Sequence, residues 1–198
     1  MKSDKTGELA HTDTTINTLC ETDIAEVMEL FCRCFWNDPY YTKLFPDNGM
    51  KQTAINETFR QTILYCIAKG SCLGVRKSGK LIGFIVCFDY KNIRAKDNQL
   101  FHLIFADKDS AEALPYYSTL HTTVANLPGT VIYCLSLAVD PAYRHLGIAS
   151  AMWDCVMNMF PGVSFATDVS NSASLGIYLK RNFNIQQLDK DYYLLTYS

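Results

Sequence analysis

Residues 131–160 read V-I-Y-C-L-S-L-A-V-D-P-A-Y-R-H-L-G-I-A-S-A-M-W-D-C-V-M-N-M-F, and the reading of this stretch decides the fold. Across 131–139 only Ser136 carries a wholly polar side chain, which is the pattern of a strand buried on both faces. Asp140 and Pro141 stop that strand, because proline offers no ladder donor and restricts the residue before it. From Gly147 onward Ile148, Met152, Cys155, Val156 and Met159 recur at helical spacing until Pro161-Gly162. The segment is expected to form a strand, a turn and a helix.

The turn carries the chemistry. Arg144 precedes Gly147 by three residues and Ala149 by five, so R-H-L-G-I-A presents successive backbone N–H groups where a helix begins. Those donors have no intrahelical partner, and the helix dipole adds roughly half a positive charge. Gly147 has no Cβ to hold a phosphate away from the main chain, and Arg144 can add a guanidinium fork. The chain contains neither G-K-[ST] nor G-x-G-x-x-G, so the nucleoside-triphosphate loop and the dinucleotide fingerprint are both excluded.

The stretch Leu137-Ala138-Val139-Asp140-Pro141-Ala142-Tyr143-Arg144-His145-Leu146-Gly147-Ile148-Ala149 resembles the acetyl-CoA signature of the GNAT N-acetyltransferase superfamily, [QR]-x-x-G-x-[GA] preceded by L-x-V-x-P-x-[YF]. A second run, N-S-A-S-L-G-I-Y-L-K-R-N-F, is similar to that superfamily's N-x-x-[SA]-x-x-x-Y-x-[KR]-x-G-F, matching at Asn171, Ser174, Tyr178, Lys180 and Phe183. Asn182 replaces the usual glycine, a mild departure because asparagine tolerates positive φ. F-W-N-D-P at 35–39 with L-F-P-D at 44–47 resembles the first helical segment of the puromycin-acetyltransferase-like branch, where it helps wall the acceptor site.

The resemblance implies an α/β (α+β) fold with a mostly antiparallel twisted sheet of six to seven strands, flanked by helices and splayed at the acetyl-CoA strand. It implies acetyl-CoA as acyl donor and an amine of a small molecule or peptide as acceptor. Leu137, Ala138 and Val139 would hold the pantetheine arm through their backbone. Arg144, His145, Leu146, Gly147, Ile148, Ala149 and Ser150 would receive the pyrophosphate, and Asn171 would contact the CoA arm. Tyr178 would face the thioester sulfur as the catalytic hydroxyl. Relatives often carry a carboxylate base on the strand before the loop, but Tyr133, Cys134, Leu135 and Ser136 stand there, so the base is open among a water chain, Asp168, His102 and His121. A non-catalytic acyl-CoA-binding or sensor domain of the same fold is the alternative reading, and the missing carboxylate favours it while Tyr178 speaks for an enzyme.

Composition sets the remaining bounds. The 198 residues suit one buried domain, here 15–198 after a flexible tail at 1–14, and 48% hydrophobic with 19% charged residues mark a globular chain. A net charge of −2 without a run of five like charges gives no reason to expect a nucleic-acid or membrane partner. The N-terminus has no apolar h-region and no apolar run reaches the roughly 18 residues of a membrane span, so a cytoplasmic monomer or homodimer is expected. Eight cysteines without C-x-x-C or Cys/His spacing, most of them in apolar segments, read as buried free thiols with no metal site.

Along the chain, 16–20 is expected as a first strand, followed by a helix capped at Thr22 or Asp23 with Ile24, Val27, Met28, Phe31 and Phe35 inward. Pro46-Asp47-Asn48-Gly49 closes an aromatic cluster, and 51–69 reads as helix stopped by Gly70. Residues 72–76 and 80–90 form a hairpin over Lys77-Ser78-Gly79, with the second strand central. One or two helices are expected in 91–130, drawn from 101–106 and 111–127. A strand at 163–169 alternates as it should, Asn171 or Ser172 caps a short helix holding Leu175, Tyr178 and Leu179, and 183–188 with 192–197 make a last hairpin.

Overall fold

The computed structural model of the chain describes residues 7–8, 13–69, 71–96 and 116–198. The strands form one sheet in the order β1-β2-β3-β4-β5-β6-β8-β7, where β1 is Gly7–Glu8, β2 Thr14–Thr18, β3 Cys72–Lys77, β4 Lys80–Asp89, β5 Val131–Val139, β6 Ser164–Val169, β7 Asn184–Asp189 and β8 Tyr192–Tyr197. Every neighbouring pair is antiparallel except β5 and β6. The expected six to seven strands are present as the seven longer ones, and the two-residue β1 makes an eighth at the edge. It pairs with Thr15 and Ile16, inside and next to what the sequence marks as tail and first strand.

The first long strand lies two residues earlier than expected. In T-T-I-N-T the inward positions are Thr14 and Ile16, while Cys20 turns away to start a 3₁₀ turn at Glu21–Asp23. Helix α1, Ile24–Phe35, follows with Val27, Leu30 and Phe31 buried. Asp23 does not cap it through its side chain. Its carboxylate instead accepts from Cys20 N at 2.8 Å and pairs with Arg76 at 2.6 Å, and Arg76 also reaches Glu26 at 2.9 Å. The β3–β4 hairpin is thereby tied to the start of α1. Asp38 caps α2, Pro39–Leu44, through Tyr40 N, and Asp47 caps the next helix through Met50 N, so Pro46 to Gly49 opens a helix rather than closing a cluster. That helix runs as α3, Asn48–Ala54, a π turn at Ile55–Phe59, and α4, Arg60–Ala68. Lys51 is buried and gives its ammonium to Trp36 O at 3.0 Å and Thr42 Oγ1 at 3.3 Å, which pins α3 to the aromatic corner before α2.

Helix α5, Tyr90–Lys96, and α6, Tyr117–Asn126, are the helices observed in 91–130; the expected apolar segment 101–106, His102, the first residues of 111–127 and the Gly70 stop lie outside the described residues. Helix α7, Ile148–Met159, and α8, Leu175–Leu179, complete the chain. The helices cover both faces of the sheet. On one face α1, the π turn, α4, α5 and α6 pack against Phe84, Val86, Phe88, Tyr133 and Leu194. On the other α7 and α8 pack through Met152, Trp153, Val156 and Tyr178 against Ile85, Ile132 and Phe165. Gly83 of β4 allows the close approach of α7, since a Cβ there would stand 3.1 Å from Ala138 O and 3.2 Å from Ile148 Cγ2. Leu179, expected inward, is 59% exposed; five residues of helix give α8 one inward stripe, which Tyr178 and Leu175 occupy.

All eight cysteines are free thiols, and Cys66, Cys72, Cys87 and Cys134 are buried in the two cores, where they act as small apolar side chains. Thiol titration of the denatured protein, with alkylation and without reductant, is expected to count close to eight groups. Four or fewer would mean that pairs exist in solution.

Candidate active site

Strand β5 is paired with β6 only from Val131↔Ser164 to Cys134↔Thr167. Beyond that point the neighbours part. On its other side β5 remains hydrogen-bonded to β4, with a bulge at Leu135: Val86 stands opposite Ser136 while Cys87 stands opposite Cys134. The extra residue bends the strand away from β6 and leaves residues 135–139 with a backbone edge turned to a cavity. The expected splay is therefore present, and it is built from a bulge on one side and a lost parallel pairing on the other.

The edge runs straight into the loop. Asp140 anchors the exit: its N–H donates to Ile82 O at 2.8 Å, its carboxylate caps the 3₁₀ turn Pro141–Tyr143 through Ala142 N, and Arg33 lies 3.3 Å away. His145 at φ 64° and Gly147 at φ 79° then bring the main chain to the first turn of α7. Gly147 is its N-cap and brings no side chain to the exposed N–H groups there; a Cβ built on it meets no atom within 4 Å, so the glycine is required by φ and leaves an open cradle. Arg144 does not extend from the loop as a bare fork. Its Nε–H donates to Val139 O at 3.2 Å, and the same carbonyl receives the Cys34 thiol from α1 at 3.5 Å. The loop is held from behind by Arg181, which donates to Ser150 O, Ile177 O and the Asp154 carboxylate at 2.7 to 2.9 Å.

Splayed strand and loop line one cavity of about 770 Å³. Leu137, Ala138, Val139, Arg144, His145, Gly147, Ile148, Ala149, Ser150, Asn171 and Tyr178 all face it. Leu146 is the sequence-predicted residue that does not line it; it is 48% exposed on the outer side of the loop. Asn171 uses Oδ1 to accept from Ser174 N at 3.0 Å and from the Ser174 hydroxyl, capping the 3₁₀ turn ahead of α8 as expected. Asn182 ends α8 with φ 59°, again as its type predicts.

Tyr178 is buried with its ring against Trp153 and Phe183, edge to face at centroid distances of 5.6 and 5.5 Å. Its hydroxyl has the Trp153 indole N–H and the Thr167 hydroxyl as polar neighbours. The Trp153 Nε1–H itself makes no hydrogen bond of good geometry among the described residues. Burial raises the phenol well above its ordinary pKa, so Tyr178 is a neutral donor across the working pH range.

Asp168 comes to the same cavity from the other face. It is the first β6 residue past the last β5–β6 pair, and strand alternation sends it opposite to Thr167. The hydroxyls of Tyr133 and Tyr192 both donate to its carboxylate. The Tyr40 and Tyr117 hydroxyls bond to each other beside it, and Ser170 Oγ donates to Asp38 at 2.7 Å. Burial raises the Asp168 pKa above the ordinary carboxylate value, and Asp38 adds to the effect against the opposing tyrosine hydrogen bonds. Of the four candidate bases only Asp168 lines the cavity as a described side chain; His121 instead bonds Tyr90 through Nδ1 at 2.8 Å, and His102 is outside the described residues. Sequence spacing did not reveal Tyr40, Tyr117 and Tyr192 as site residues, and twelve tyrosines in the chain were the available signal.

The family model for the acetyltransferase (GNAT) family matches residues 25–183. No curated protein matches the sequence. Among solved structures, a polyamine N-acetyltransferase from Drosophila melanogaster is 12% identical with a TM-score of 0.63, covering 93% of this chain and 98% of its own. The paia N-acetyltransferase of Thermoplasma acidophilum, solved with coenzyme A, is 16% identical with a TM-score of 0.57 over 93% and 98% of the two chains. An N-acetyltransferase from Staphylococcus aureus Mu50 is 19% identical with a TM-score of 0.59 over 92% and 99%. With a strand splayed beside a phosphate-shaped loop, and a family match that takes in both, this chain belongs to the GNAT acetyltransferase family.

Proposed function

We propose that the protein is an acetyl-CoA-dependent N-acetyltransferase of the cytosol that passes the acetyl group directly to an amine. The observation that carries the reading is the backbone edge of 135–139, unpaired with β6 and continuous with the N–H groups at the start of α7. Acetyl-CoA, when bound, supplies an activated thioester. The main chain of Leu137, Ala138 and Val139 holds its pantetheine arm as a further strand would, and a β5 N–H polarises the thioester carbonyl. The N–H groups from His145 to Ser150 take the pyrophosphate, with Gly147 giving the clearance. Since Asn171 Oδ1 is committed to Ser174, its amide nitrogen is the group that meets the CoA arm. The segment holding F-W-N-D-P at 35–39 and L-F-P-D at 44–47, which resembles the puromycin-acetyltransferase-like branch, walls the acceptor side through Phe35, Tyr40 and Tyr41.

Tyr178 hydrogen-bonds the departing thiolate. An ordinary phenol near pKa 10 passing its proton to a thiolate near 8.5 already works uphill by about 2 kcal/mol. Burial widens that gap, so the hydroxyl stabilises the anion as a donor and keeps its proton.

Acetyl-CoA at 100-fold above Kd should stabilise the fold by roughly 2.7 kcal/mol, a melting shift of about 5 to 11 °C for a chain of this size. Gly147→Glu is expected to abolish that shift, placing a bulky anion where the phosphate belongs. An unshifted wild type, or a fully shifted mutant, overturns the loop assignment. Release of free thiol over an amine panel separates the enzyme from a sensor domain that binds without turnover.

Tyr178→Phe keeps the ring packing on Trp153 and Phe183 and removes only the hydroxyl. One hydrogen bond to developing charge is worth about 3 kcal/mol, so turnover should fall about 10²-fold with the acetyl-CoA melting shift intact. Wild-type turnover, with chemistry shown to be rate-limiting, would make Tyr178 a core residue.

A further inference from the structure

The acceptor side of the cavity has a charge arrangement that the acetyl donor does not explain. Asp168 and Asp38 face it from the end of β6 and from the turn before α2. Among the described residues neither forms an ion pair with a lysine, arginine or histidine. The two Asp38 oxygens accept from Tyr40 N at 2.9 Å and from Ser170 Oγ. Asp168 accepts from the neutral phenols of Tyr133 and Tyr192 and from its own backbone N–H. A carboxylate taken out of water with phenols but no cation is short of a positive charge.

Aromatic rings surround it. Tyr40 and Tyr192 stack with centroids 5.9 Å apart, Tyr116 lies 4.3 Å from Tyr192, and Tyr117 faces the Tyr40 hydroxyl. Phe35, Phe59 and Leu135 extend the same wall without adding a charge. Ring faces attract a cation, and ring edges and faces pack best against another flat apolar group.

From this arrangement we infer that the acceptor is a compact monocationic amine with an aromatic or similarly flat apolar body, and that Asp168 is both its ammonium anchor and its general base. The inference rests on the acetyltransferase reading above for its chemical step. Asp168 takes one proton from R–NH3⁺ and becomes a carboxylic acid. The freed nitrogen lone pair forms the N–C bond at the thioester carbonyl, the C–S bond breaks, and sulfur leaves with the electron pair under the Tyr178 hydroxyl. The nitrogen then loses a second proton, which matches the thiolate's need for one. Asp168 returns its proton to solvent, so the sum is R–NH3⁺ plus acetyl thioester giving the amide, CoA thiol and H⁺.

The same geometry favours a single ammonium on a flat apolar body over a polyamine, because rings rather than further carboxylates make up most of the described wall around Asp168.

The groups facing Asp168 set its pH response. Tyr133 from β5 and Tyr192 from β8 donate to it and hold its pKa down against burial, while Asp38 pushes it up. Tyr40 and Tyr41 of α2, Tyr116 and Tyr117 of the α6 end, and Tyr178 of α8 feel its charge as phenols already raised by burial, so none of them ionises before it does. Activity that needs ionised Asp168 is lost as pH falls through its raised pKa.

The test uses the full chain with acetyl-CoA and three amines: 2-phenylethylamine, spermidine and the N-terminal amine of a short peptide. By thiol release, kcat/KM for phenylethylamine should exceed that for the other two by about tenfold or more, because they bring unpaired charge or peptide groups into the ring cluster. Asp168→Asn should lower it by about 10²-fold or more while the acetyl-CoA melting shift persists. Tyr192→Phe removes one donor to the carboxylate and should move the acidic limb of the kcat/KM profile up by about one pH unit, a change that a purely structural tyrosine would not cause. Faster turnover of spermidine or the peptide overturns the acceptor class and leaves the acetyltransferase reading standing. Full turnover in Asp168→Asn, or an unmoved limb in Tyr192→Phe, overturns the base. Melting with CoA and phenylethylamine separates the two readings. A shift with the amine that Asp168→Asn abolishes, without thiol release from any acceptor, supports the anchor and overturns the transfer.

Discussion

Everything at the site depends on the loss of one pairing, between β5 and β6 after Cys134↔Thr167. Within a parallel sheet each strand edge is consumed by its neighbour, so no ligand could read it. Here Leu135 adds a residue against β4, β5 turns, and β6 continues toward β8 alone. Arg144 and the Cys34 thiol meet the Val139 carbonyl, and backbone otherwise left along a cavity calls for a hydrogen-bonding ligand. The bulge also explains why the central sheet tolerates the gap: β4 and β5 remain paired through Val139, and Asp140 N–H still bonds Ile82 O.

The gap joins the two faces of the sheet, and each face contributes a different chemistry. From one side come Tyr178, Trp153 and Thr167, a set of neutral donors that in the proposed reaction would meet a sulfur becoming an anion. From the other come Asp168 and the tyrosines, which in the proposed reaction would meet a nitrogen that starts as a cation. Alternation along β6 is what separates them, because Thr167 and Asp168 are neighbours in sequence that must point to opposite faces. A one-residue slip of β6 would exchange the two, so the register to β8, Thr167↔Leu195 and Asp168↔Leu194, fixes the chemistry as well as the core.

Sequence alone carried the frame wherever a local rule decided the outcome. The apolar run of β5, the Asp140-Pro141 stop, Gly147 at positive φ, the Asn171 cap and Asn182 at the end of α8 are each set by residues within a few positions of one another. Where long-range contacts decided, it did not. Asp23 has the type and place of an N-cap, yet Arg76, 53 residues away, takes its carboxylate. Leu179 has the type of a core residue, yet a five-residue helix has no second inward position for it. The tyrosine cluster is assembled from α2, α6, β5 and β8, and no spacing rule links positions 40, 117, 133 and 192. Asp168 was visible as one candidate among four because nothing in the sequence tells which carboxylate a sheet will bury.

The proton balance then connects the two faces. In the proposed transfer, amine attack releases protons on the acceptor side and requires one at the sulfur, and each side then has a group suited to only half of that exchange. Asp168, raised above an ordinary carboxylate, accepts a proton more readily than an exposed one would, and its tyrosine donors keep it from being protonated permanently. Tyr178, raised above an ordinary phenol by burial, holds its proton and offers a hydrogen bond. Direct passage from Asp168 to sulfur would require the carboxylic acid to cross from one face to the other through the thioester itself. The physically simpler course is for the thiolate to leave as an anion under Tyr178 and to be neutralised as the product departs, which makes the donor side depend on hydrogen bonding and leaves pH sensitivity with the acceptor side.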